Sequence, residues 1–160
     1  MSVQQIWRYP VKSLQGESLD STEVTDVIPG DRGWGIIDNK TGHLLSAKRV
    51  PRLLEGQARI IRDHCVLTID RNEFSSEEDK INEKLSDWLE RPVTLSIPNT
   101  GETRNIEIEW DDGTAEILQD PDVFEFSTAP GWFFDSSSSL NLMGSATLDF
   151  LEKRVGPGSG

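Results

Sequence analysis

VQQIWRYPVKS, residues 3–13, decides how the rest of the chain is read. Residues 3–9 are rich in β-branched and aromatic types and stop at Pro10, which has no amide to give to a ladder, so they read as a strand. Lys12 and Ser13 follow at once. Further on, GDRGW (30–34) holds Arg32 behind Gly30 in a chain whose formal net charge is −12. Both cations stand where a proline or a glycine restricts the backbone. A protein holds charge against an anion in this way, and an ordinary turn has the same appearance.

Outward from that stretch, short strand patterns repeat. Residues 16–27 suit a second strand, and Pro29-Gly30-Asp31 signals a turn. WGIID (34–38) and HLLSA (43–47) flank Asn39–Gly42 as a hairpin. QARII (57–61) and CVLTID (65–70) flank Arg62-Asp63-His64 as another. At Ser75 the period changes. Ile81, Leu85, Trp88 and Leu89 recur at helical spacing, Ser75 with Glu78 or Ser76 with Asp79 offers a capping box, and Arg91 before Pro92 marks the stop. This predicts a helix over 76–90. PVTLSI (92–97) is a strand. RNIEIEW (104–110) alternates, with Ile106, Ile108 and Trp110 on one face, and TAEIL (114–118) completes a third hairpin across Asp111-Asp112-Gly113. Residues 119–139 read as irregular, SLNLM (139–143) as a strand, and 145–155 as a short helix with Leu148 and Leu151 on one face. The expected fold class is α+β, mostly β: a small β-barrel of short strands with one or two packed helices. It forms a single domain over 1–155, followed by a flexible tail at 156–160.

Composition sets the bounds. A chain of 160 residues with 35% hydrophobic and 28% charged content suits one soluble globular domain. No run of 18 apolar residues occurs and no secretory signal opens the chain, so no membrane partner is expected. The one cysteine, Cys65, rules out an internal disulfide and points to a reducing, cytoplasmic setting. With 28 acids against 16 bases, the surface repels nucleic acid and anionic lipid at long range. An anionic ligand therefore needs a local cluster of bases.

Lys12, Ser13 and Arg32 supply an ammonium, a hydroxyl and a guanidinium, the groups that suit a phosphate; the plain alternative is a pair of surface bases facing neighbouring acids. Lys48, Arg49 and Arg52 either extend that cleft or end a solvated hairpin. Cys65 reads as a buried structural residue, because His64 points to the opposite face of the same strand. His43, His64 and Cys65 are too few for a zinc site, and no G-x-S-x-G occurs. Asp111-Asp112-Gly113 and Asp120-Pro121-Asp122 lack a calcium-loop pattern and suit turns. No catalytic or metal-ligating residue is assigned. Trp7, Trp34, Trp88 and Trp110 read as core, whereas Trp132-Phe133-Phe134 reads as an exposed patch.

The order YPVKS, GESL (16–19), PGDRGW (29–34) and LLSAKRVPRL (44–53) resembles the N-terminal β-barrel region of the MOSC family. WLERPVTL (88–95) fits it too, and FFDSSSSLNLMGSATLDFLEKR (133–154) resembles the start of the MOSC domain proper. The resemblance implies the molybdenum cofactor, a pterin with a phosphate tail or its nucleotide-extended form, whose metal is held by a cysteine thiolate. It implies sulfur-carrier or N-oxygenated-substrate reduction chemistry in relatives, with a small anionic cofactor or substrate and a redox partner protein. By position, Lys12 and Ser13 match the cofactor-contacting pair, Arg32 matches the arginine that meets the anionic part, and Asp135, Ser136 and Ser137 match the stretch lining the site. Family members continue past the last helix to an Arg-Pro-Asn segment and a metal-ligating cysteine, whereas Cys65 lies in the barrel half. The chain is then either a shortened form of a longer enzyme or a natural variant. The expectation is a weak pterin-phosphate or anion-binding domain without independent catalysis. The alternative is a substrate-recognition or interaction module that docks, through 132–134, to a partner supplying the metal-binding half.

Overall fold

Pro10 ends the first strand as its missing amide requires, but the strand it ends is short. The computed structural model describes residues 2–24, 27–98, 103–108, 122–127 and 140–155. Its strands are β1 (Ile6–Arg8), β2 (Glu17–Leu19), β3 (Gly35–Asp38), β4 (Gln57–Ile61), β5 (His64–Ile69), β6 (Asn72–Ser75), β7 (Val93–Ser96), β8 (Thr103–Ile108) and β9 (Asp122–Ser127). Its helices are α1 (Ile81–Leu89) and α2 (Ser145–Val155), with a 3-10 turn over Pro51–Glu55. The fold class is α+β, mostly β.

All the described ladders are antiparallel: β1 with β2, β3 with β7, the meander β4-β5-β6, and β8 with β9. Single bridges stitch the first three sheets to the connecting loops. Val11 meets Trp34, Gln15 meets Gln57, and Ile37 meets Leu44. Glu17 adds a side-chain tie, its Oε1 accepting from the Ile60 amide at 2.8 Å. The strands are thus held as a set of short, cross-linked sheets, with one core between them and α1. Val11, Leu14, Ile36, Leu45, Leu53, Cys65, Leu67, Leu85, Trp88 and Val93 belong to that core.

The expected hairpins differ in their partners. The 57–70 hairpin forms as read, with Ile61 opposite His64. Residues 43–47 do not form a strand. The Asp38 carboxylate gathers the amides of Lys40 (2.6 Å) and Thr41 (3.2 Å), and Gly42 takes φ +73°, so the chain turns back tightly. Two backbone bonds follow, Asp38 N–H to the His43 carbonyl and Leu45 N–H to the Ile36 carbonyl. Leu44 and Leu45 are then buried, and the long-range strand β7 takes the ladder position beside β3. Likewise β8 pairs with β9, inside the stretch read as irregular, and its expected partner 114–118 lies outside the described residues. Residues 140–143 carry no regular structure.

The helix expected over 76–90 begins at Ile81. Its capping-box residues do bond: the Ser75 amide donates to Glu78 Oε1 at 2.7 Å, and the Glu77 amide donates to Ser75 Oγ at 3.2 Å. They close a turn after β6, because Phe74 and Ser75 are already committed to the ladder with β5. Ile81, Leu85, Trp88 and Leu89 face the core as their spacing requires. Glu90 ends the helix in a left-handed conformation, and the Arg91 amide returns to the Ser86 carbonyl at 3.1 Å. Asn82 Oδ1 accepts from the Leu95 amide and Ser86 Oγ from the Val93 amide, which pins α1 to β7. Helix α2 has its expected bounds, and its side chains at 145–154 are exposed. Among the described residues, no helix is long and apolar enough to cross a membrane.

Candidate functional site

The two motifs of interest lie side by side because Tyr9 is a backbone hub. Its amide donates to Asp31 Oδ1 at 2.7 Å, and its carbonyl accepts from the Arg32 amide at 2.7 Å. One step on, the Trp34 amide donates to the Pro10 carbonyl (3.0 Å) and the Lys12 amide donates to the Trp34 carbonyl (2.9 Å). YPVKS and GDRGW are therefore zipped together by main-chain bonds. Turns shape both loops, with Leu14 N–H to the Val11 carbonyl in one and Asp31 N–H to the Ile28 carbonyl in the other. Gly30 takes φ +79°, a backbone that strains any L side chain, and a Cβ there would have to push Ile60 Cδ1 aside.

Among the described residues, six other than glycine have positive φ, and turns or a helix cap account for each. Arg62 turns the β4–β5 hairpin, Asp70 and Arg71 form the paired left-handed turn between β5 and β6, and Glu90 caps α1. Ser13 (φ +69°) and Arg32 (φ +53°) are the third residues of the turns closed by Leu14 N–H to the Val11 carbonyl and Gly33 N–H to the Gly30 carbonyl, one in each of the zipped loops. Left-handed backbone costs an L-residue about 1–2 kcal/mol and is retained where surrounding structure over-determines it.

The electrostatics are more balanced than two bare cations. Arg32 Nη2 lies 2.7 Å from Asp31 Oδ2, with side-chain exposures of only 12% and 7%. Burial pushes the Asp31 carboxyl up, against the Tyr9 amide and the neighbouring Arg32 and Arg8 charges, and burial pulls Arg32 down. Arg8 grips Glu17 Oε1 through Nε (3.0 Å) and Nη2 (2.8 Å), and its Nη1 donates to the Pro29 carbonyl at 3.1 Å. Lys12 and Ser13 are half-buried. In the second basic run, Lys48 is exposed, Arg49 and Arg52 are half-buried, and Arg52 lies 3.5 Å from Glu90 Oε1.

The structure thus joins the loops of Lys12, Ser13 and Arg32. Asp135, Ser136 and Ser137, and the Trp132–Phe134 run, lie outside the described residues. Trp7 corrects its expected core position: it is 46% exposed. The strand before Pro10 alternates, and Trp7 falls on its outer face with Tyr9. Cys65 is fully buried, and desolvation pushes its thiol up to about 12, so it holds no thiolate at neutral pH. Among the described residues no three His, Cys, Asp or Glu side chains group as metal ligands. Sequence reading missed Tyr9 as the hub and Asp31 as the partner of Arg32. The only signal for Asp31 was its place inside Gly-Asp-Arg-Gly, where it read as turn chemistry.

Comparison with known proteins agrees with this frame. The family model described as the MOSC N-terminal beta barrel domain matches residues 1–107. Mitochondrial amidoxime reducing component 2 of Rattus norvegicus is 36% identical over 58 residues, which cover 33% of this chain and 17% of that protein. The chain thus matches a small part of that relative's length. No solved structure matches the chain. On the match over residues 1–107, the chain belongs to the family of the MOSC N-terminal beta barrel domain.

Proposed function

We propose that this domain, taken as one unit over 1–155, binds the phosphate-bearing part of a pterin cofactor of the molybdenum type through Lys12, Ser13 and Arg32. One observation supports the reading: Ser13 and Arg32, both left-handed, stand at the third positions of turns in two loops zipped by backbone bonds. That arrangement would carry the Ser13 hydroxyl and the Arg32 guanidinium on a preset backbone, with Lys12 next to Ser13 in the chain. The donor set fits the anionic tail, since a guanidinium and an ammonium bind phosphate as a fork and a point charge. It does not fit the metal, because the one thiol is buried and protonated. When bound, the cofactor would supply the metal-centred redox or sulfur-transfer chemistry. This domain's residues would hold and orient the tail, and the chemistry itself would need a metal-binding half and a redox partner protein. A reducing cytosol is the proposed setting.

Calorimetric titration with inorganic phosphate and with a phosphorylated pterin tests the reading. Each charge-assisted hydrogen bond contributes about 1.5–3 kcal/mol, so Lys12→Ala should weaken binding by about tenfold or more. Unchanged affinity in both Lys12→Ala and Arg32→Lys would refute the site.

A second reading, an interaction module for a partner protein, is favoured by residues 140–155. Leu142 is 86% exposed, and Met143, Leu148, Phe150 and Leu151 are exposed beside it. A concentration-dependent assembly in sedimentation that Leu142→Ser with Phe150→Ser abolishes would support it. A monomer at all concentrations that captures no metal-binding partner would rule it out.

A further inference from the structure

We infer that Trp7 and Tyr9 form an aromatic platform that stacks the flat ring of a phosphorylated heterocycle whose phosphate sits at Lys12 and Arg32. The inference rests on the anion-site reading above and extends it to the ring. Trp7 on β1 and Tyr9, one residue past its end, stand two residues apart and are 46% and 43% exposed. Residues i and i+2 of a strand share a face about 7 Å apart, so the two rings form one surface. The opposite strand leaves room for them. Trp7 pairs with Ser18, and the next position carries Gly16, where a Cβ would stand 2.8 Å from Tyr9 Cδ1 and would overlap the Arg8 carbonyl. The Tyr9 ring therefore lies against bare backbone, and a glycine is what permits it.

The platform is joined to the cationic loops through the Tyr9 backbone. Tyr9 is the residue whose amide and carbonyl hold Asp31 and Arg32, each at 2.7 Å. A ligand with its phosphate against Arg32 thus has an exposed aromatic ring within one residue's reach. Two rings are too small a patch for a protein partner, since specific interfaces bury about 1,000 Å² or more. They match the area of one planar heterocycle, and every such ring offers a π-face for stacking.

The test compares guanosine 5′-monophosphate, ribose 5-phosphate and inorganic phosphate by calorimetry on the full chain. Guanosine monophosphate should bind about tenfold more tightly than ribose 5-phosphate, the size of one base stacked on an aromatic ring. Trp7→Leu and Tyr9→Leu should each erase most of that preference and leave the affinity for inorganic phosphate within about twofold. Tyr9→Phe should retain the preference, which separates ring stacking from a merely structural role. Equal binding of the nucleotide and the sugar phosphate overturns the platform and leaves the anion site standing. Absence of binding by inorganic phosphate and by both organic probes overturns the anion site and the platform together. A self-association that Trp7→Leu abolishes, with no ring preference in the wild type, overturns the platform in favour of a protein contact.

Discussion

Replacing Arg32 by alanine should unfold this domain more readily than any other single loss in the two loops. Its guanidinium and the Asp31 carboxylate lie 2.7 Å apart, at 12% and 7% side-chain exposure. Removing one partner of a buried pair costs about 3–5 kcal/mol, because the remaining charge is stranded away from water. Asp31 would keep the Tyr9 amide and the more distant Arg8 charge, which places the expected cost at the lower end, about 3 kcal/mol. Alanine also carries a Cβ, so the left-handed φ of +53° contributes nothing to the difference. Asp31→Asn should cost less, about 1–2 kcal/mol, since the amide oxygen still accepts from Tyr9 and the long Arg32 side chain, unlike the short Asp31, can turn its charge toward water. The double variant should be more stable than Arg32→Ala alone, giving a coupling energy of about 2 kcal/mol. Urea unfolding followed by the fluorescence of the five tryptophans measures all four proteins. The pH dependence has a defined sign. The Asp31 carboxyl titrates above its ordinary 3.8 in the folded state, so folding takes up a proton between 3.8 and that higher value. The cost of burying the charge is fully present above the folded pKa and fades as pH falls through it. Arg32→Ala removes a charge that lowers this pKa, so the window should widen upward. A cost for Arg32→Ala below about 1 kcal/mol, or a double variant no more stable than the single, would refute the buried-pair argument.

Three other perturbations probe the same framework. Ser13→Gly should change stability by less than about 0.5 kcal/mol, as relief at φ +69° offsets glycine's added chain entropy, whereas β-branched Ser13→Val should cost about 1–2 kcal/mol; equal effects in urea unfolding would mean that the loop is not held left-handed. At Asp38, burial opposes the charge, but the Lys40 amide, the Arg91 side chain and the Thr41 amide outweigh it and hold the carboxyl below its usual value. Its contribution should therefore be complete above about pH 4 and vanish as pH falls through the folded pKa, and Asp38→Asn should flatten that acid limb of the stability curve; an unchanged limb would exclude the assignment. Asp31→Asn should raise affinity for inorganic phosphate about 3–10-fold at low salt, because it removes the carboxylate that competes for Arg32; a drop in affinity with an unchanged fold would show that Asp31 orients the guanidinium and does not compete for it.

How far the sequence could be read depended on whether the information was local. The 57–70 hairpin was legible because alternation and its turn lie in one continuous stretch. Helix α2 was legible for the same reason, with Ser145 at its start and Gly156 after its end. The partner of β3 was not legible. Asn39–Gly42 is a genuine turn, but the ladder position went to β7, more than fifty residues away, and no periodicity reports that choice. Strand β9 was hidden because the acids, prolines and serines of 119–139 read as irregular. The start of α1 slipped because Ser75 and Glu78 make capping bonds in a turn as readily as in a helix. At the candidate site, the restricted backbone of the loops that carry Lys12, Ser13 and Arg32 was legible from Pro10 and Gly30. Trp7 was not, since size and apolarity alone assigned it to the core, while strand alternation places it outside.

The burial of Arg32 against Asp31 limits the ligands this surface can hold. Seen from a distance, a paired guanidinium and carboxylate nearly cancel, and the chain around them carries a net charge of −12. Long-range attraction therefore cannot bring a phosphate here, and the field of the whole molecule opposes it. Binding has to come from short-range terms: preset donors that need no reorganisation, and a second contact that is indifferent to charge. The zipped backbone supplies the first, because Tyr9, Pro10, Lys12, Arg32 and Trp34 are fixed by main-chain bonds before any ligand arrives. The exposed rings of Trp7 and Tyr9 supply the second. A bare anion meets only one of these terms, and a ring joined to a phosphate meets both. In a strongly acidic protein, that difference would favour the heterocyclic phosphate proposed above over free phosphate.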